Sequence, residues 1–236
     1  MGREKVFRFK QFSVLNDRTA MKVGTDGVLL GAWCDVEGAR RVLDVGTGCG
    51  VIALMVAQRN NTAIVHGIDI DRDAIEEATL NFSRSPWADR LTASVTDFNE
   101  LSTDTPYDLI VSNPPYFTDS LLPPDKARTL ARHTRSLTYA QLIDGAARLL
   151  TDNGALALIS PTDSESVITQ AATFASLPVR RLTRVIPVEG AHPRRTLWLL
   201  SRRAMPYRED TLTIAHSDGS FTSEYIALTG DFYLNL

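Results

Sequence analysis

A chain of 236 residues, 44% hydrophobic and 22% charged, has the length of one α/β domain and the composition of an ordinary globular protein. No apolar run approaches the roughly 20 residues needed to cross a bilayer, and the basic N-terminus lacks the apolar stretch of a signal peptide, so a cytoplasmic protein without membrane contact is expected. The two cysteines, Cys34 and Cys49, show no metal-type spacing, which argues against a zinc site or a disulfide scaffold, and no metal is expected.

Residues 6–12 alternate loosely and read as a short strand or an extended arm, aromatics on one side and cations on the other. Gly24 and Gly27 then bracket a polar turn in which Asp26 can cap a helix running through Leu29, Leu30 and Trp33. That turn reads equally as a simple helix start and as a polar lip over a ligand. Residues 41–45 form a short apolar strand that runs into Gly46-Thr47-Gly48-Cys49-Gly50 and an apolar helix over 51–57. Strand, glycine loop and helix make the first half of a Rossmann-type unit, in which glycines let a ligand approach the backbone closely. The G-x-G-x-G spacing departs from the dinucleotide pattern. Asp44, two residues before the loop, would repel a pyrophosphate and suits a ligand carrying an ammonium group.

A second strand, 63–69, ends in Asp69, 19 residues after Gly50, where a carboxylate can accept hydrogen bonds from ribose hydroxyls. Asp71 and Asp73 read as cap and first-turn charges of a helix over 74–84. A third strand, 91–96, ends in Asp97-Phe98; the carboxylate can accept from an adenine amino group while the ring covers a base face. The fourth strand, 107–111, stops at Ser112-Asn113-Pro114-Pro115-Tyr116-Phe117. Neither proline can donate a backbone hydrogen bond, so a rigid turn presents Asn113 and an aromatic pair past the strand's C-terminal end. In open α/β sheets that edge is where ligands bind. Residues 118–135 read as a surface loop long enough to be functional. A helix over 138–150, a strand at 155–159, a helix over 164–174, a strand around 180–187, a loop at 188–195 and a strand at 196–200 follow. The chain closes with residues 211–215, an Asp218-Gly219 turn and an amphipathic segment to Tyr233. The alternation predicts one doubly wound domain over 1–236: an arm and lip (1–35), a core (36–203) and a C-terminal extension (204–236).

The charge is polarised. The windows 1–10, 126–135 and 178–203 together carry +13 in a chain of net −3, which leaves −16 elsewhere. Such a surface can steer a polyanion, and scattered solvated arginines are the alternative. His133 and His192, each among arginines, read as solvated loop side chains, with phosphate contact the alternative.

The glycine loop with Asp44, Asp69 and Asp97-Phe98 resembles the S-adenosylmethionine site of Rossmann-like methyltransferases. The resemblance covers about residues 20–200. It implies a doubly wound, mostly parallel seven-stranded sheet with one antiparallel strand. Asp44, Gly46, Gly48 and Gly50 would lie near the methionine part, Asp69 would hold the ribose, and Asp97 with Phe98 would frame the adenine. Lys22, Thr25, Ile70 and Asn113 complete the implied donor set.

The Asn-Pro-Pro-Tyr turn resembles the motif of methyltransferases acting on planar nitrogens. An adenine amine is a poor nucleophile because its lone pair is delocalised. The Asn113 side-chain oxygen and the Pro114 carbonyl would accept its two N–H bonds and stabilise the developing positive charge. Tyr116 would stack on the base, with Pro115 and Phe117 beside it; Phe117 reads equally as packing under the turn. Adenine in DNA, adenine in RNA and a glutamine amide of a protein are all served by this motif. The residues 22–33, the extra Phe117 and the ending from Phe221 to Tyr233 resemble a small subfamily of tRNA (adenine-N6)-methyltransferases. That subfamily methylates the adenosine beside the anticodon of a valine tRNA. The resemblance implies tRNA as partner and no obligate protein partner; the arm at 3–10, the basic loop 126–135 with Arg128, Arg132 and Arg135, and the segment 180–195 with Arg194 and Arg195 are expected to flank the Asn113 edge and grip the tRNA phosphates. The rival from another class is a non-catalytic RNA-binding protein on the same scaffold.

Overall fold

The computed structural model describes residues 5–19, 21–115 and 137–235. A hairpin, β1 (Val6–Arg8) and β2 (Ser13–Leu15), leads to α1 (Thr25–Trp33). Next come β3 (Arg41–Val45), α2 (Val51–Arg59), β4 (Ile64–Asp69), α3 (Arg72–Ser83), β5 (Leu91–Val95) and β6 (Tyr107–Ser112). The second half holds α4 (Tyr139–Leu149), β7 (Leu150–Pro161), α5 (Glu165–Phe174), β8 (Val179–Val188), β9 (Arg195–Ser201), β10 (Arg208–Ala215) and α6 (Ser223–Thr229).

The main sheet has eight strands in the order β10-β8-β9-β7-β6-β3-β4-β5. Only β9 runs antiparallel to its neighbours, β7 and β8. The expectation of seven strands is corrected by β10, which lies parallel to β8 at the edge. Its first three residues, Arg208, Glu209 and Asp210, are charged, so it does not read as an apolar run. Arg181 and Arg184 of β8 hold it by ion pairs to Asp210 and Glu209, a charged edge of the kind that resists further strand pairing.

Period-two alternation sends successive strand residues to opposite faces. Val42, Leu109, Val111 and Ala157 face a cluster shared with α1 and α2, while Leu43, Ile110, Leu156 and Leu158 face one shared with α4 and α5. Helix α2 is buried from Val51 through Ala57, the pattern of an apolar helix enclosed on all sides. α4 starts at a capping box: the Thr138 hydroxyl accepts from the Gln141 N–H and the Gln141 side chain accepts from the Thr138 N–H. The arm and the tail share the first cluster through Phe9, Phe12, Tyr225 and Phe232. Phe9 and Phe12 stack at 4.5 Å, and Phe9 bridges to Tyr233. No described helix is long and apolar enough to cross a membrane.

Candidate active site

β3 pairs with β6 on one side and β4 on the other, so the strand order reverses around it. A crevice opens at the C-terminal ends of such strands. Register puts the glycine loop after β3, Asp69 at the end of β4 and Asp97 beyond β5 on one flank, with Asn113 beyond β6 on the other. The Ser112 hydroxyl donates to the Val45 carbonyl at 2.9 Å, tying the strand end before Asn113 to the strand end before the loop.

Gly46, Gly48 and Gly50 all have left-handed φ, at 71°, 54° and 83°. A Cβ added at Gly46 or Gly48 would meet nothing within 4 Å, whereas one at Gly50 would sit 2.4 Å from the Phe82 ring of α3. Two glycines therefore face open space, and the third lets α3 close on the loop. Asp44 is fully buried beneath it. Its Oδ2 accepts from the Thr47 hydroxyl at 2.7 Å and from the Ala53 N–H in the first turn of α2 at 3.2 Å. Its Oδ1 is buried with no hydrogen-bond partner among the described residues. Burial pushes the carboxyl up to about 7, against the opposing pull of those two donors. Gly67 makes room for Thr47: a Cβ there would lie 2.7 Å from the Thr47 hydroxyl.

Asp69 Oδ2 accepts from the Gly48 N–H at 3.1 Å and Oδ1 from the Asp71 N–H at 3.0 Å. Burial raises its pKa against the pull of these bonds. Ile70, next in the chain, is half exposed at the same edge. Asp97 is exposed and accepts from Asn99 at the start of a single helical turn, Phe98–Glu100. The Phe98 ring is corrected from base cover to core: it is 3% exposed, and a Cβ on Gly145 of α4 would lie 2.4 Å from it.

Asn113 is half-buried, with Nδ2 3.7 Å from the Met21 sulfur. Gly27, in the first turn of α1, backs it: a Cβ there would come 4.0 Å from the same nitrogen. Pro114 is buried and Pro115 exposed. The Gly24–Gly27 turn is thus a lip against the Asn113 edge, and Thr25 is exposed on it. Asp26 is corrected from helix cap to ion-pair partner. Gly24 is the N-cap, and Asp26 Oδ2 lies 2.9 Å from Arg195 Nε at the start of β9. Lys22 Nζ donates to the Asp17 and Thr19 carbonyls, fixing the turn before the lip.

The arginines after residue 178 divide. Arg181 pairs with Asp210 and lies over the Trp33 ring, Arg184 is shared by Glu165 and Glu209, and Arg180 donates to the Ser201 and Met205 carbonyls. The expected phosphate grip is corrected for these three, whose guanidinium groups serve the β8–β10 edge. Arg194 is exposed beside Arg195 at the Asn113 edge. Tyr116, Phe117, Arg128, Arg132, Arg135 and His133 lie outside the described residues. Two supports of the site gave no readable signal. Asn81 of α3 exchanges hydrogen bonds with Leu15 and donates to the Cys49 carbonyl in the glycine loop. Glu77 accepts from the N–H groups of Asp17, Arg18 and Thr19. Both are polar residues on the buried side of α3, visible only as breaks in its apolar face.

Residues 22–177 match the family described as methyltransferase small domain. A tRNA1(Val) (adenine(37)-N6)-methyltransferase of Phocaeicola vulgatus is 48% identical over 98% of both chains. One of the same name from Bacteroides fragilis is 43% identical, again over 98% of both. Among solved structures, a protein of Agrobacterium tumefaciens described as a predicted O-methyltransferase superposes with a TM-score of 0.68 at 20% identity, covering 90% of this chain and 100% of that one.

Proposed function

The chain belongs to the family of tRNA1(Val) (adenine(37)-N6)-methyltransferases, and from that membership and the site geometry we propose that it methylates the N6 amine of adenosine 37 in a valine tRNA, as a cytoplasmic enzyme. The observation that carries the reading is Asn113 at the end of β6, one strand from an open glycine cradle and tied to it through Ser112 and Val45.

The residues present fit S-adenosylmethionine. Gly46 and Gly48 leave a cradle open, and the buried Asp44 Oδ1 offers an acceptor toward an ammonium group. Asp69 would hold the ribose hydroxyls with its remaining lone pairs, Ile70 would lie against the adenine, and Asp97 would accept from its amine. Lys22 would act through the turn it fixes, and Thr25 from the lip. When bound, the group supplies an electrophilic methyl on a sulfonium.

The chain's own work is to hold the amine. The Asn113 oxygen and the Pro114 carbonyl accept its two N–H bonds and point negative dipoles at a nitrogen that becomes positive as it is methylated. The amine needs no strong base beforehand, because its proton becomes acidic once the methyl is attached. Tyr116 would stack on the base, worth about 1–3 kcal/mol, and Pro115 and Phe117 are the further candidates for contact with it. An anticodon-loop adenosine is already unpaired, so presenting it costs less than extrusion from a duplex.

Incubation with tRNA and a labelled methyl donor, followed by nucleoside analysis, tests the reading: N6-methyladenosine is expected. Asn113→Ala should cut kcat by about 10²–10³, the loss seen when a transition-state hydrogen-bonding group is removed, while calorimetric binding of S-adenosylhomocysteine persists. Methylation undiminished in that variant would sink the assignment.

A further inference from the structure

Asn113 can hold an amine only if its own amide is held. Its Nδ2 faces Met21 and the first turn of α1, where Gly27 comes close enough that even a methyl group would touch it. The far end of α1 is locked by packing: a Cβ on Gly31 would lie 2.7 Å from the Met55 sulfur of α2. At the near end, Asp26 adjoins Gly27 and pairs with Arg195 at 2.9 Å, across 169 residues of sequence. Arg195 is the first residue of β9 and pairs in register with Pro161, the last residue of β7, which is the neighbour of β6. The pair thus spans from the lip to the strand layer that carries Asn113. Its side chains are 26% and 33% exposed, so solvent screens it only in part.

We propose that Asp26 and Arg195 are positioning residues for methyl transfer: their ion pair clamps the first turn of α1 against Asn113 and fixes the amide that clasps the acceptor amine. The proposal rests on the role assigned to Asn113 above. It gives Arg195 a task other than gripping phosphate. Breaking the pair lets the lip shift, and a misplacement of about 1 Å at a reacting group can cost on the order of 10²-fold in rate.

The test is a double-mutant cycle with Asp26→Asn and Arg195→Gln, read as kcat and KM for tRNA and for the methyl donor. Each single variant should lower kcat by about 10- to 100-fold with both KM values within about twofold. The double variant should lose less than the two single losses combined, because both changes break the contact the two residues share. Arg195→Lys, which keeps the charge, should recover part of kcat. The proposal is overturned if Arg195→Gln raises KM for tRNA while Asp26→Asn, by removing a negative charge, lowers it. Additive losses in the double variant, or no recovery in a folded Arg195→Lys, overturn it as well. Asn113→Ala separates the two levels. If that variant stays active the Asn113 assignment itself falls; if it is dead and the cycle is additive, only the clamp falls.

Discussion

Gly48 and Gly50 share a left-handed backbone but differ in what stands over them. A methyl group on Gly48 would point into the open cradle, while one on Gly50 would strike the Phe82 ring at 2.4 Å. Both substitutions carry the left-handed cost of about 1–2 kcal/mol. Gly50→Ala adds overpacking of about 1–3 kcal/mol, for a total of about 2–5 kcal/mol, and should show mainly as a lower melting temperature. Gly48→Ala should keep most stability and lose ligand: about 1–3 kcal/mol of overpacking against the bound group is roughly 5- to 150-fold weaker binding. Paired melting curves and S-adenosylhomocysteine calorimetry separate the two. Equal ligand affinity in Gly48→Ala and the parent chain would mean that the cradle is not where the ligand lies. Asp44 follows the same division. One oxygen serves the loop through Thr47 and α2 through Ala53, and the other is buried with no hydrogen-bond partner among the described residues.

Among the elements, α3 does more than cover the sheet. Asn81 accepts from the Leu15 N–H at 2.8 Å and donates to the Leu15 and Cys49 carbonyls at 2.9 and 2.8 Å. The arm hairpin and the glycine loop therefore hang from one side chain. Asn81→Ala leaves three buried backbone groups unpaired, and a loss of about 2–4 kcal/mol is expected. Its particular signature is in hydrogen exchange: the amides of 13–19 and of the loop at 46–50 should lose protection together. Loss confined to the arm would show that the two are independent. Elements whose determinants are local were legible in the sequence. β3, α2 and β6 come from short apolar runs, and α3 from its Asp71 cap. The misreadings have distant determinants. Asp26 looked like a cap because its partner is Arg195, β10 was hidden because its charges are matched on β8, and Phe98 looked like a base cover because the Gly145 notch that receives it lies 47 residues on.

At the scale of the molecule, the question is which of its positive charges are available to RNA. Sequence windows count every arginine alike, but the fold does not. Arg181 and Arg184 are neutralised by Asp210, Glu165 and Glu209, so the β8 segment contributes edge stability and little outward field. Arg194 is exposed at the Asn113 edge and is proposed as a phosphate contact. The basic loop carrying Arg128, Arg132 and Arg135 follows the Asn113 turn in the chain and is proposed as the main phosphate contact. Each phosphate neutralised releases counterions and adds roughly 0.7 to the slope of log K against log salt for single-stranded nucleic acid. Neutralising those three arginines together should flatten the slope by about 2, and Arg194→Gln should flatten it by about 0.7. Arg181→Gln and Arg184→Gln should lower the melting temperature and leave the slope alone. Titrating tRNA against each variant between low and physiological salt makes the comparison. A slope that moves with Arg181 or Arg184 but not with the loop would place the RNA on the β10 side of the sheet, away from Asn113.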